Sequence, residues 1–91
     1  MVRLPLLIGA RPMYMANRRG PLVPLGLGDW YISSNHKDSQ ILIERTPIGT
    51  NIPVSHPING IPLLLIGSCY VQVVIDKIGT EPSLDIYAER R

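Results

Sequence analysis

Ninety-one residues with nine prolines, eight glycines, one cysteine and no phenylalanine leave room for one small domain and argue against long helices. A formal net charge of +2 is too small to imply a polyanionic partner by itself. The single cysteine excludes an internal disulfide and any multi-cysteine metal site, and no run approaches the roughly eighteen apolar residues of a spanning helix. At 45% hydrophobic and only 18% charged residues, the chain is poor in the soluble coat of a small free domain.

The chain begins with Val2-Arg3-Leu4-Pro5-Leu6-Leu7-Ile8, which suits an edge strand, the place in a sheet where proline is tolerated. Leu4 to Ala10 is too short for the apolar core of a signal peptide and is followed at once by Arg11-Pro12. Residues 9 to 28 hold Gly9, Pro12, Gly20, Pro21, Pro24, Gly26 and Gly28 among apolar Met13, Tyr14, Met15, Leu22, Val23, Leu25 and Leu27. That mixture excludes a helix of normal length and is too apolar for a disordered linker. It reads as an extended Pro/Gly-rich N-terminal arm over residues 1–28, covered by something else, ahead of a small β domain over residues 29–91. The arm is also basic: Arg3, Arg11, Arg18 and Arg19 precede the first acidic residue, Asp29.

Residues 29 to 34 and 39 to 46 place aromatic and β-branched residues on either side of Asn35-His36-Lys37-Asp38, the pattern of a hairpin. Pro47, Pro53, Pro57 and Pro62 then exclude a helix from residues 46 to 62. Ile61 to Ile66 and Cys69 to Ile78 are expected as consecutive strands or one long bent one, with Gly67-Ser68 as a bulge or tight turn. After a turn at Gly79-Thr80-Glu81-Pro82, the tail alternates Leu84, Ile86 and Ala88 against Asp85, Tyr87 and Glu89. That period of two predicts a strand, with a short helix capped by Ser83 as the runner-up. The fold class expected is all-β, a small barrel or sandwich of about five to seven strands.

Chemistry-bearing clusters are sparse. His36 and His56 read as exposed turn residues, because no Cys/His/Asp/Glu set with ligand spacing surrounds them. Ser55, His56 and Asp76 could be written as a triad, but no nucleophile-elbow sequence accompanies them. Gly26-Leu27-Gly28 lacks the third glycine, the lysine and the helix of a phosphate cradle, and suits an unusual turn instead. Glu44, Asp76, Glu81, Asp85 and Glu89 read as ordinary surface partners of nearby basic residues. Cys69, in an apolar run, reads as a core residue. No catalytic residue, metal ligand, cofactor or small-molecule substrate is therefore expected, and the protein is not read as an enzyme.

The expected role is structural. An apolar, basic first third suggests an assembly subunit whose arm and edge strands dock on copies of itself or on other subunits, strand addition providing directional bonding. Arg11, Met13, Tyr14, Met15, Arg18, Arg19, Leu22 and Trp30 are the candidate partner-binding residues. The specific form expected is a virus or phage component, such as a capsid decoration, connector or tail protein, in a virion or cytoplasmic assembly. The alternative is a small nucleic-acid-binding β-barrel in which Trp30, Tyr31, Tyr70 and Tyr87 stack bases and Arg18-Arg19 and Arg90-Arg91 meet phosphates.

Overall fold

The computed structural model of the chain describes residues 1–10 and 18–91. In chain order its strands are β1 (Val2–Ala10), β2 (Val23–Leu25), β3 (Asp29–Ser34), β4 (Gln40–Pro47), β5 (Val54–Ile58), β6 (Leu64–Ile66), β7 (Cys69–Lys77) and β8 (Ser83–Arg90). They form two antiparallel four-stranded sheets, β1-β8-β3-β6 and β2-β7-β4-β5. The all-β expectation holds, in its sandwich form, and no helix occurs among the described residues.

The pairing is nested. β1 lies beside β8, β2 beside β7, β3 beside β6 and β4 beside β5, so the chain is doubled back once and then rolled. Every connection except β4–β5 crosses from one sheet to the other. This is the strand order of a jelly roll, two Greek keys facing each other.

Alternation explains why these segments face each other. Along β7, Cys69, Val71, Val73 and Ile75 are fully buried while Tyr70, Gln72 and Val74 turn outward. Along β8, Leu84, Ile86 and Ala88 are buried in the same way, as the period of two in the tail predicts. Together with Trp30, Ile32, Ile41, Ile43 and Leu65 they form one core cluster between the sheets. Each such aliphatic side chain contributes roughly 1.5–3 kcal/mol by leaving water. β1 is an edge strand as expected, and a register shift between Pro5 and Leu7 turns Leu6 into the core, where it is 1% exposed.

Two expectations are corrected. β3 and β4 are strands, but they are not a hairpin: they belong to different sheets. The inner faces of both, Trp30 and Ile32 on one and Ile41 and Ile43 on the other, gain their cover by facing each other, which a flat hairpin would not provide. β6 and β7 are the consecutive strands expected, and the tight turn at Gly67, with φ +79°, carries the chain into the other sheet. Finally, the described parts of the expected arm belong to the sandwich. β1 and β2 are paired strands, Arg19 bridges to Val74, Gly20 N–H donates to Val73 O at 2.8 Å, and Leu6 and Leu25 sit in the common core. Leu25 and, in part, Val23 find cover within the same chain, whereas Leu22 and Leu27 stay exposed; prolines 5 and 24 are compatible with edge positions.

Candidate functional site: two unlike ends of the sandwich

The register places the β2–β3, β4–β5 and β6–β7 connections at one end of the sandwich. Gly67 N–H donates to Gly28 O at 3.2 Å and Ile48 N–H to Ser68 O at 3.4 Å, so the loops are mutually fastened. The large side chains they carry are apolar and point to solvent: Leu27 is 76% exposed, Ile48 59% and Ile52 78%. Met1, Val54, Ile66 and Tyr70 add exposed apolar surface at the same end.

This end is supported rather than loose. The Trp30 indole is 2% exposed and donates Nε1–H to Gly26 O at 2.9 Å. Arg90 lies 4.9 Å from the Trp30 ring centroid and donates Nη1–H to Leu27 O at 2.6 Å. Gly28, at φ +124°, supplies the backbone conformation that lets Leu27 project while its carbonyl turns inward. Thr50 closes a turn onto Pro47 O through both its N–H and its hydroxyl, each at 3.1 Å. Arg45, on the inward side of β4 opposite Val71, donates to Ile66 O at 2.6 Å and so ties one sheet to the other.

The opposite end carries the β3–β4, β5–β6 and β7–β8 connections and is built on a buried carboxylate. Glu81, 4% exposed, accepts from the Lys37 N–H at 2.5 Å, from the Asp38 and Ser39 N–H groups at 3.1 Å, and from the Ser39 hydroxyl at 2.5 Å. Burial, the largest single influence, pushes its carboxyl upward. The Ser39 hydroxyl and the backbone N–H groups outweigh burial and hold it well below the usual carboxylate range. The Ser39 hydroxyl oxygen also accepts from Gly79 N–H at 2.7 Å. Asp38 returns the contact by accepting from Thr80 N–H at 2.7 Å and the Thr80 hydroxyl at 2.8 Å.

His36 at this end is buried, contrary to its reading as an exposed turn residue. Its Nε2 lies 2.7 Å from Ile58 O and its Nδ1 2.7 Å from the Ser34 hydroxyl. A carbonyl can only accept, so the ring donates Nε2–H to Ile58 O. Both ring nitrogens are used in joining β5 to the β3–β4 crossing. His56 is half-buried and faces inward beside Ile43, while Ser55 faces outward beside Glu44. Successive strand residues point to opposite faces, so Ser55 and His56 do not meet as a triad.

Among the expected partner-binding residues, Arg11, Met13, Tyr14 and Met15 lie outside the described residues. Arg18 is exposed and offers its carbonyl to Ile75 N–H at 2.9 Å. Arg19 forms an ion pair with Glu44, and Leu22 is exposed. Trp30 is a core residue that a partner does not touch in the closed sandwich. Arg3 pairs with Glu89 at 3.1 Å and covers the Tyr87 ring at 3.8 Å. Charge-pairing was thus expected in kind but occurs between distant segments, and Glu81 is not a surface carboxylate. The exposed Leu27, Ile48 and Ile52 were missed as binding candidates, although Ile48-Gly49-Thr50-Asn51-Ile52 already puts two isoleucines in a turn-rich, uncharged stretch.

No protein-family model, curated protein or solved structure matches this chain.

Proposed function

We propose that the protein is a structural subunit that builds a larger assembly by contacts with copies of itself and neighbouring subunits. The observation that carries this reading is the apolar end. Leu27, Ile48 and Ile52 project from two of three mutually fastened loops that hold no charged side chain of their own. Exposed apolar surface concentrated at one place, on a rigid support, suits a protein contact. The jelly-roll order supports the more specific reading, a virus or phage virion component, by analogy of fold, since capsid subunits are among the proteins built this way. Nucleic-acid binding has less support: Arg3 and Arg19 are engaged by Glu89 and Glu44, and Tyr31 and Tyr70 lie on different sheets. The proposal assigns the protein no reaction.

Sedimentation of the full chain over a concentration series tests it. Association that weakens when Ile48 and Ile52 both become aspartate supports the reading. A monodisperse monomer at roughly 100 µM, a concentration at which even weak specific contacts are populated, overturns it.

A further inference from the structure

The connection between β5 and β6 begins at Asn59 and crosses from one sheet to the other. It is anchored on both sides. Ile58 O accepts the His36 Nε2–H at 2.7 Å, and Leu63 O accepts from Ile32 N–H at 2.9 Å. Between these anchors Asn59 and Gly60 are exposed. Neither the Asn59 side chain nor the Gly60 N–H is hydrogen-bonded to a described residue. Gly60 has φ +77°, and a Cβ placed on it would meet nothing within 4 Å, so the fold does not crowd this peptide unit. Asn-Gly often marks a two-residue hairpin turn, but here the flanking strands lie in different sheets.

From these features we infer that Asn59–Gly60 is a site of spontaneous covalent modification, at which the asparagine becomes aspartate or isoaspartate through a succinimide. Solvent base removes the Gly60 amide proton, and the nitrogen attacks Asn59 Cγ. A new C–N bond closes the ring, and the side-chain nitrogen takes a proton from water and leaves as ammonia. Water then opens the ring. Cleavage of the bond to Cγ gives aspartate; cleavage of the bond to the main-chain carbonyl gives isoaspartate, with the backbone rerouted through the side chain. Water is the only co-reactant. Asparagine is intrinsically labile, and glycine favours the attack because no Cβ shields its nitrogen.

The other described asparagines each lack a condition. Asn51 is exposed but precedes Ile52, whose β-branched side chain crowds the attacking nitrogen. Asn35 Oδ1 accepts from Asp85 N–H at 2.8 Å and its Nδ2–H donates to Ser83 O at 3.2 Å. The nitrogen that would attack it, His36 N, donates its proton to Ser34 Oγ at 3.2 Å. Conversion at Asn59 lowers the formal net charge of +2 by one. The new carboxylate stands beside the hollow that Gly60, Ile61 and Pro62 line together with His36. The inference is independent of the assembly reading.

Peptide mapping by mass spectrometry tests it, on the full chain incubated at mildly alkaline pH and sampled over days. Conversion at Asn59 is expected to run about tenfold faster than at Asn35 or Asn51, with aspartate and isoaspartate peptides of equal mass separating on the column. Ion exchange of the intact chain is expected to show an acidic species growing at the same rate. Asn59→Gln is expected to abolish that growth, because the longer side chain closes its ring far more slowly. A parallel incubation in guanidinium chloride separates fold from sequence. There, Asn59 is expected to convert within about tenfold of its rate in the folded chain. Conversion no faster at Asn59 than at Asn51 in the folded chain overturns the inference. So does a folded-chain rate more than about tenfold below that in guanidinium chloride, because the loop then holds the pair out of attacking geometry.

Discussion

At one end of the sandwich a single buried carboxylate in one loop gathers the donors of another; at the other, loops held by main-chain bonds leave three large apolar side chains in water. Glu81 satisfies the Lys37, Asp38 and Ser39 amides at once, so the acidic end is held by interactions internal to the chain. The apolar end is fastened through Trp30, Arg90 and Arg45 and through the main chains of Leu27 and Ile48, while the side chains of Leu27, Ile48 and Ile52 stay in water. Fastening at both ends, with exposed apolar side chains gathered mainly at one although Ile61 is exposed at the other, separates what the fold needs from what a contact would use.

Removing the carboxylate tests the first half of this contrast most severely. Glu81→Ala leaves three amides and a hydroxyl without their acceptor, at an expected cost of about 3–4 kcal/mol, read as a lower urea midpoint with an unchanged slope. The effect also has a pH signature. Because the folded carboxyl is held below the ordinary glutamate value of 4.5, its contribution is complete above that pH. It declines as pH falls below 4.5 toward the folded value. Glu81→Gln is expected to flatten this acid loss, measured as the difference in urea midpoint between pH 7 and pH 3. Gly79→Ala comes next, at roughly 2 kcal/mol, since a Cβ there would overlap Asp38 Oδ1 and the Ser39 nitrogen; thermal unfolding reads it.

At the apolar end the expected stability effects are smaller. Arg90→Ala gives up the bond to Leu27 O and the stack on Trp30 and is expected to cost about 1 kcal/mol, visible in the tryptophan-monitored melt. Ile48→Asp with Ile52→Asp is expected to shift stability by under about 0.5 kcal/mol, as for substitutions of exposed residues, while weakening association. A large loss of stability from that pair would instead mean that the isoleucines support the fold, and the contrast between the ends would fail.

Much of the strand content is legible from periodicity. The alternation over 83–89 and the β-branched run over 69–78 correspond to β8 and β7, and Pro5 marks β1 as an edge. Connections are less legible. Asn35-His36-Lys37-Asp38 has the composition of a hairpin turn, and the same polar residues serve a crossing between sheets once Glu81 arrives from 42 residues away to bind Ser39. Nothing local distinguishes the two. β5 carries Pro57 and follows Pro53, so it reads as loop. It forms because an edge strand needs its ladder on one side only, toward β4. Glu81, preceding a proline in a turn, resembles any solvated carboxylate until its distant donors are known. The apolar tips at 27, 48 and 52 are visible as residues but not as a group, because only the fold brings the β2–β3 and β4–β5 turns to one end.

The nested pairing also bears on the order in which the chain can become structured during synthesis. β8, the last strand of the sandwich in chain order, lies between β1 and β3; until it arrives, β1 has no partner in the first sheet and nothing joins it to β3. β2 waits in the same way for β7. A nascent chain would therefore hold β1 and β2 unpaired until nearly the whole sandwich has been made, and folding dominated by such distant contacts is slow. The early prolines, by discouraging strand pairing with other nascent chains, protect the segment that must wait longest.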